Sequence, residues 1–236
     1  MYMANQQYKA VFLSFPFVLL TFICFSQKKF VVKNGSKIYD AVIAVANCEE
    51  GTCSGKGTVT LTRKSDKSVL QVLKSDDLYF DVDSASGPSV NTVELYGEQS
   101  PLIFDDFNFD GSEDLAIRNG NNGGYGGPSY DVYVFNITSK KFVLSKKLTE
   151  LVTENLGMFQ VDKKRQRLIT YSKSGCCWHL TSEYAVIPGK GLQKVAETEE
   201  DATQGDGETV IVTHRTFVNN KWVEKVKKYK TKDYYN

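Results

Sequence analysis

The sequence PLIFDDFNFDGSEDLAIR, residues 101–118, decides the fold of this chain. It consists of an acidic loop between two short apolar runs, PLIF and LAI, which are compatible with strands. Four side chains offer oxygen atoms along the loop: Asp106, Asn108, Asp110 and Asp114. Calcium takes about six to eight oxygen ligands, which a compact loop supplies from carboxylates, amides, backbone and water. The segment therefore predicts a calcium loop that joins two strands.

The loop begins like an EF-hand but does not end like one. The carbonyl of Ser112 would add a ligand, and Gly111 lies where the chain must turn sharply around the ion. The twelfth position counted from Asp106 is Ile117, where an EF-hand has a bidentate Glu. The pattern instead resembles the calcium loops in the β-propeller blades of integrin-like repeats. The alternative is an acidic turn that binds no ion.

The N-terminal residues predict export. Lys9 precedes an uncharged apolar run, VFLSFPFVLLTFICFS, which has the length of a signal-peptide core and is short for a membrane span. Cleavage after Ser26 divides the chain into a signal peptide, residues 1–26, and one domain, residues 27–236. The expected location is the periplasm or the exterior of the cell. Lipid anchoring through Cys24 is the alternative, but the residues before it make a poor lipobox.

The cysteines of an exported chain are expected to form disulfides, because the compartment is oxidising. Cys48 and Cys53 are expected to pair locally. Cys176 and Cys177 are adjacent, so they form either a vicinal disulfide or two bridges to the other pair. The neighbouring His179 suggests a zinc site in CCWH, but metal-ligand spacing normally leaves residues between two cysteines. Disulfide chemistry is therefore favoured over zinc.

The charge of the chain argues against a nucleic-acid partner. The formal net charge is +1, whereas nucleic-acid-binding domains usually carry a strongly basic patch or stripe. The basic cluster at residues 221–232 alternates with apolar residues, and it predicts a solvated terminal strand whose lysines discourage edge aggregation. A membrane or polyanion patch is the alternative for this cluster.

The residue pattern predicts strands almost throughout. β-branched and aromatic residues alternate with polar ones, and residues 144–152 are the only helix candidate. Four stretches share a strand, polar turn, strand pattern: residues 58–73, 130–148, 182–196 and 210–229. In the two middle units Tyr133 and Tyr184 fall at equivalent places. Repeated antiparallel hairpins predict an all-β, propeller-like architecture, with a β-sandwich as the alternative.

The two middle units also have loops at corresponding places. One is GNNGGYGGPSY, residues 120–130, and the other is SGCCWH, residues 174–179. The first contains glycines around Tyr125 and can present an aromatic ring on a tightly turning backbone. Aromatic residues on exposed loops often anchor partners, so Tyr125 and Trp178 are candidate binding residues. The alternative is that both rings cap the ends of the sheet.

These motifs together resemble a family of secreted bacterial proteins that act as immunity proteins against lysozyme-like effectors of type IV secretion. The resemblance rests on the calcium loop, GGYGGPSYDVYVF and SGCCWH, and it covers residues 102–195. It implies a propeller-like periplasmic domain, similar to the periplasmic inhibitors of invertebrate-type lysozyme. It also implies calcium ligands at five positions: Asp106, Asn108, Asp110, Ser112 and Asp114.

The resemblance further implies a partner surface. Lysozyme inhibitors of this broad kind insert a loop into the target's cleft, with a recurring Ser-Gly followed shortly by an aromatic residue. Ser174, Gly175 and Trp178 match that pattern, although Trp178 stands where a Tyr is usual. The predicted partner-binding residues are Tyr125, Tyr130, Ser174, Gly175, Trp178 and His179.

The predicted function is therefore an exported calcium-binding protein that inhibits a lysozyme-like peptidoglycan hydrolase. Such a cleft relies on two carboxyl groups, and hydroxyl and N–H groups of the inserted loop would bind them. Calcium is expected to fix the root of residues 120–130, so that Tyr125 is ordered before binding.

Two other classes of function are open. One is a calcium-stabilised adhesion or glycan-binding module, but adhesion propellers carry the loop in several blades, and the equivalent segment VDKKRQRL keeps only Asp162. The other is an enzyme, but the two histidines have no recognisable partner spacing. The Ser-Gly at Ser174 also lacks the flanking glycines of a nucleophile elbow. No catalytic residue and no cofactor besides calcium is predicted.

Overall fold

The computed structural model describes residues 27–83, 87–203 and 207–235. Strands make up 58% of the structure and helices 7%, which confirms the predicted all-β class. The strands form three antiparallel sheets, and in the described part of the chain none of them closes into a barrel. Within these ranges, the helices are too short or too polar to cross a membrane. The predicted signal peptide, residues 1–26, lies outside the described residues.

The first sheet contains five strands in chain order. They are β1 (Lys28–Val32), β2 (Tyr39–Glu49), β3 (Thr52–Arg63), β4 (Val69–Asp83) and β5 (Gly87–Pro88). Side chains alternate between core and solvent along β2 and β3, so that Ile43, Val59 and Leu61 are buried. Cys48 and Cys53 face each other at the end of the β2–β3 hairpin and form the expected local disulfide.

The second sheet contains four strands in chain order. They are β6 (Leu102–Asp105), β7 (Asp114–Arg118), β8 (Tyr130–Asn136) and β9 (Lys141–Leu144). All residues of β7 are buried, because both faces of this strand are covered. Leu115 and Ile117 contribute to the core on one side, and Ala116 contributes to the core on the other. α1 (Lys146–Thr153) follows β9 and confirms the helix expected at residues 144–152.

The third sheet contains six strands in chain order. They are β10 (Gln160–Asp162), β11 (Arg167–Ser174), β12 (Trp178–Ile187), β13 (Gly191–Asp201), β14 (Thr209–Val218) and β15 (Lys221–Lys230). A short helix, α2 (Thr231–Tyr234), follows β15. β15 is an edge strand with every residue exposed, as the lysine-rich terminal pattern predicts.

The three sheets are stacked with the second sheet in the middle. One core lies between the first and second sheets, and another is formed by the second sheet, α1 and the third sheet. Neighbouring propeller blades and β-sandwiches both pack antiparallel sheets face to face in this way. The stack is sandwich-like, and its chain-ordered sheets agree with the blade-like repetition predicted from the sequence.

The predicted internal repetition is present in the strand pairing. The four expected hairpins are formed by β3–β4, β8–β9, β12–β13 and β14–β15. Leu115 lies opposite Tyr133 in the second sheet, and Leu168 lies opposite Tyr184 in the third. Tyr133 and Tyr184 therefore occupy equivalent positions, and the loops that precede their strands lie at corresponding ends of the two sheets.

Candidate functional site

The predicted calcium loop connects β6 to β7 and turns tightly. Phe109 and Gly111 both have positive φ angles, 59° and 87°. Glycine adopts this conformation without a steric penalty. Phe109 adopts it with a full side chain, and its ring packs beside the core of α1 and the second sheet. The sharp turn expected at Gly111 is therefore present.

Three predicted ligands direct their oxygen atoms into this turn. The Asp110 N–H donates to Asp106 Oδ1 at 3.1 Å and to Asn108 Oδ1 at 2.9 Å. The Gly111 N–H donates to Asp106 Oδ2 at 2.9 Å, and the Ser112 N–H donates to Asp110 Oδ1 at 2.7 Å. Backbone amides thus gather the side-chain oxygens of Asp106, Asn108 and Asp110 around one short segment.

Asp114, the remaining side-chain ligand in the prediction, is fully buried at the start of β7. Its Oδ2 accepts the Phe107 N–H at 2.9 Å, and its Oδ1 accepts the Phe135 N–H at 2.8 Å. Burial raises the pKa of Asp114 to about 7 despite these two hydrogen bonds, and the nearby charges of Asp110 and Asp106 raise it further. A cation beside this group would favour its ionised form.

The donor set fits a hard cation such as calcium. The side-chain donors are carboxylates and one amide, and oxygen is the ligand atom that calcium takes in proteins. In the described part of the chain, no three His, Cys, Asp or Glu side chains come close enough to hold a metal ion by themselves. A cation in this loop would therefore also need the Asn108 oxygen, the predicted Ser112 carbonyl and water.

The equivalent turn of the third sheet differs in length and chemistry. Asp162 occupies the position of Asp105, because each lies in the last residue pair before its turn. Only residues 163–166 separate Asp162 from Arg167. Arg165 fills this turn, since its N–H and its Nε donate to Asp162 at 2.9 and 2.6 Å. In the third sheet, the positive charge beside Asp162 is thus the guanidinium of Arg165, whereas the second sheet has an acidic loop at this place.

The glycine-rich loop, residues 120–130, joins β7 to β8 and packs against the C-terminal end of α1. Tyr125 lies in a short 3-10 turn, Gly124–Gly126, with a φ of 57°, and the residue is 65% exposed. The Gly124 N–H donates to the Asn155 carbonyl at 2.8 Å. A Cβ at Gly124 would lie 3.1 Å from that same oxygen. The close approach therefore requires glycine.

Arg118, at the end of β7, holds the base of this loop. Arg118 is 5% exposed, and its guanidinium lies 5.7 Å and 5.6 Å from the ring centroids of Tyr79 and Tyr130. Its Nε donates to the Gly120 carbonyl at 2.9 Å, and its Nη2 donates to Asn121 Oδ1. Cation–π contacts orient the guanidinium, and its hydrogen bonds fix the loop from inside the protein.

Tyr130 is buried, although it was predicted at the partner surface. It is 1% exposed, and its hydroxyl donates to the Ser100 carbonyl at 2.8 Å. Burial raises the pKa of Tyr130 to about 12, against the opposing effect of Arg118. Its ring belongs to the core that α1 shares with the second sheet. Tyr130 therefore supports the glycine-rich loop from below and does not reach the surface.

Residues 174–179, between β11 and β12, lie against the glycine-rich loop. The Gly175 N–H donates to the Tyr125 hydroxyl oxygen at 2.6 Å. Cys176 and Cys177 form a vicinal disulfide, which decides between the two arrangements left open by the sequence. The indole Nε1 of Trp178, on β12 directly after the disulfide, donates to a carboxylate of β13 at 2.7 Å.

We call residues 120–130 and 174–179 together the two-loop tip. The structure brings five predicted partner residues into this tip: Tyr125, Ser174, Gly175, Trp178 and His179. Ser174 and Gly175 are exposed, whereas the side chains of Trp178 and His179 are half-buried.

The calcium loop and the two-loop tip lie at opposite ends of β7. This strand begins at Asp114, beside the calcium loop, and ends at Arg118, beside residues 120–130. The root of the glycine-rich loop is held by Arg118 and Asn155. Calcium therefore does not hold this root directly, contrary to the expectation from the sequence, and would act on the tip through β7 and the core that the calcium loop shares with α1.

Sequence reasoning missed two residues that contact Tyr125 or its neighbourhood. The ammonium of Lys173 lies 4.9 Å from the ring centroid of Tyr125 and 5.2 Å from that of Tyr96. Tyr96 belongs to a turn between β5 and β6, which no periodic pattern connects with residue 125. The one signal in the sequence is an aromatic residue beside glycine in the polar stretch VELYGEQS.

Comparison with known proteins gives a match in fold. No protein-family model matches the chain, and no curated protein matches its sequence. Among solved structures, a Xanthomonas type IV secretion system related protein has a similar fold, with a TM-score of 0.63 and 23% sequence identity. The match covers 84% of this chain and 92% of that chain. At this level of identity, the similarity establishes the fold alone.

Proposed function

We propose that this chain is an exported, calcium-binding inhibitor of a lysozyme-like peptidoglycan hydrolase, and that it inserts the two-loop tip into the cleft of that hydrolase. The observation that carries the proposal is the hydrogen bond from the Gly175 N–H to the Tyr125 hydroxyl. This bond joins two loops that are distant in sequence into one projection. The fold similarity to a type IV secretion system related protein supports the same class, because the resembled immunity proteins act against effectors of such systems.

The chemistry of the tip suits such a cleft. A lysozyme-like hydrolase uses one carboxyl group as a general acid and a second as a nucleophile or stabiliser. The exposed hydroxyl of Ser174 and the imidazole of His179 can donate hydrogen bonds to carboxylates. The Tyr125 ring adds apolar area at low cost in conformational entropy, because its hydroxyl is already held by Gly175. In this proposal the chain blocks an enzyme and is not one itself.

Export fits the cysteine chemistry. The described part of the chain contains two disulfides, Cys48–Cys53 and Cys176–Cys177, and disulfides persist mainly in oxidising compartments. We therefore assign the protein to the periplasm or the exterior of the cell, with residues 1–26 as its signal peptide. The partner is a protein, and neither a nucleic acid nor an embedding membrane is part of the proposal.

Calcium would have a structural role in this protein. The acidic loop lies at the opposite end of β7 from the two-loop tip, so an ion there lies apart from the residues proposed to enter the cleft. We expect chelation to lower the melting temperature, while inhibition measured well below that temperature changes by less than about twofold. A complete loss of inhibition on chelation at low temperature would instead place the ion in the interface.

The adhesion-module alternative is less well supported. Multivalent adhesion gains strength from repeated sites, whereas the unit equivalent to the calcium loop contains Arg165 bound to Asp162. Of the two equivalent units, one has the acidic loop and the other does not. This favours a structural ion over an array of binding sites.

Inhibition of peptidoglycan hydrolysis tests the proposal. Residues 27–236, loaded with calcium, are mixed with lysozymes and lysozyme-like effectors, and the clearing of a peptidoglycan suspension is followed. Tyr125→Ala should raise the inhibition constant at least about tenfold, because an exposed central aromatic residue commonly contributes this much. The matched control is Tyr235→Ala, which removes another exposed tyrosine. Equal inhibition by both variants, or no inhibition by the unmodified protein, would contradict the proposal.

A further inference from the structure

Two tyrosines project from separate turns beside one another. Tyr96 is 67% exposed and Tyr125 is 65% exposed. Both have positive φ angles, 62° and 57°, as occurs at the tight turns of hairpins. The two turns therefore present both rings at the surface of the protein.

A lysine lies between the two rings. The Lys173 ammonium is 5.2 Å from the Tyr96 centroid and 4.9 Å from the Tyr125 centroid. Among the described residues, no carboxylate forms a salt bridge with Lys173. The two ring faces hold the ammonium in place by cation–π attraction but leave its charge without a counter-ion. The surface therefore presents a positive charge flanked by apolar rings.

We propose that Tyr96, Lys173 and Tyr125 form a docking surface for a carboxylate at the mouth of a protein cleft. The inference rests on the proposed function and adds two residues, Tyr96 and Lys173, that would bind a further carboxylate at the rim of the cleft, apart from the two carboxyl groups of the reaction. Charge complementarity selects an anionic group, and the two rings would exclude water from the resulting ion pair. Desolvated charge pairs surrounded by aromatic residues are the contacts that dominate many interfaces.

The shape of the surface favours a concave protein partner. Both rings stand at the tips of turns, and Tyr125 is fixed by its bond to Gly175, so little ordering is needed on binding. Because the tip enters a hydrolase cleft in the proposed function, the two exposed rings would contact the rim of that cleft. An anionic glycan also carries carboxylate groups. Its binding would contradict the inference of a protein partner.

The first experiment compares charge reversal at two lysines. Binding to invertebrate-type lysozyme and to lysozyme-like effectors is measured by biolayer interferometry for Lys173→Glu, Tyr96→Ala and Lys225→Glu. Lys225 is an exposed lysine of β15 on the same sheet, so it controls for net charge. We expect the affinity for the hydrolase to fall about 30-fold for Lys173→Glu, about tenfold for Tyr96→Ala and less than about twofold for Lys225→Glu. Circular dichroism and melting temperature verify that each variant is folded.

These measurements separate the inference from the proposed function. If the unmodified protein inhibits a hydrolase while Lys173→Glu and Tyr96→Ala behave like Lys225→Glu, the docking surface is refuted and the proposed function stands. If N-acetylmuramic acid or its oligomers bind the unmodified protein as tightly as any hydrolase does, the occupant is a glycan and the inference of a protein partner is wrong.

A second measurement decides the inference even if no hydrolase in the panel binds. Lysine side chains are labelled by reductive ¹³C-methylation, and the signals of Lys173 and Lys225 are assigned from Lys173→Arg and Lys225→Arg. The protein is titrated with N-acetylglutamate and, as a neutral counterpart, with N-acetylglutamine. A carboxylate-dependent shift at Lys173 that saturates and exceeds the shift at Lys225 supports the surface. Equal shifts at the two lysines would refute it.

Discussion

Replacing Asp114 with alanine should lower the free energy of unfolding by about 3 kcal/mol, even when a chelator removes all calcium. The two carboxylate oxygens of Asp114 accept the N–H groups of Phe107 and Phe135 at 2.9 and 2.8 Å. Alanine would leave both donors without this acceptor, and each buried donor left unpaired costs about 1–3 kcal/mol. Urea unfolding at constant pH in the presence of chelator measures the change.

Asp110→Ala is the matched control, because Asp110 lies in the same loop but is exposed. In chelator its unfolding free energy should differ from that of the unmodified protein by less than about 1 kcal/mol. Calcium at about 100 times its dissociation constant should stabilise the unmodified protein by about 2.7 kcal/mol, and this gain should be absent in Asp110→Ala. An equal gain in both proteins would contradict the calcium assignment. If Asp114→Ala lowered the free energy of unfolding only in the presence of calcium, this carboxylate would stabilise the protein solely through the ion.

The sheets could be predicted because their signals are local. Alternation of apolar and polar residues with a period of two determines which side chains of β2 and β3 enter the core. The polar turns at positive-φ positions, such as Lys67, Asn219 and Asn220, delimit the hairpins. Each of these features depends on residues only a few positions apart, so the sequence alone is sufficient to predict them.

The arrangement of the sites was less predictable, because it depends on strand length and direction. The calcium loop and the glycine-rich loop are close in sequence, which suggested that calcium fixes the second loop. β7 separates them with five residues, Asp114–Arg118, and an extended strand of that length carries the chain about 15 Å from one edge of the sheet to the other. Sequence proximity therefore did not correspond to proximity in space.

The burial of Tyr130 has a similar explanation. Tyr130 was grouped with the glycine-rich loop, but it is the first residue of β8 and faces the core. The sequence places Tyr130 both at the end of the glycine-rich loop and at the start of the strand unit 130–148. Side chains alternate between the two faces of a strand, and only the packing of β8 shows that Tyr130 faces the core. Tyr96 was missed because the turn that carries it reaches Lys173 only through the packing of the sheets, to which local patterns are insensitive.

Buried contacts on the inner side of the two-loop tip stabilise its strained backbone. Tyr125 occupies an unfavourable backbone conformation, so residues beneath it must hold the turn in place. Arg118 is the main such residue under the glycine-rich loop, since its guanidinium binds both Gly120 and Asn121. Stability and partner binding should therefore be linked at Arg118, and should be independent of each other at the calcium loop.

Arg118→Met should lower the free energy of unfolding by about 3 kcal/mol and raise the inhibition constant at least about tenfold. Methionine fills part of the space but removes the hydrogen bonds of the guanidinium to the Gly120 carbonyl, which keeps only the Ser129 N–H, and to Asn121. It also removes the contacts with the rings of Tyr79 and Tyr130. Arg118→Lys keeps the charge but not the planar fork of donors. Its free energy of unfolding and its inhibition constant should therefore lie between those of the unmodified protein and those of Arg118→Met. Urea unfolding and the peptidoglycan-clearing assay measure the two effects.

Arg165→Met is the comparison for a surface arginine. Arg165 pairs with Asp162 and Glu183 at 2.6 and 2.8 Å, yet its side chain is 51% exposed. Exposed ion pairs contribute about 0–1 kcal/mol. The free energy of unfolding and the inhibition constant of this variant should therefore stay close to those of the unmodified protein. If Arg118→Met proves no more harmful than Arg165→Met, the buried guanidinium does not hold the loop. If Arg118→Met destabilises the fold but leaves inhibition unchanged, the hydrolase binds away from the two-loop tip.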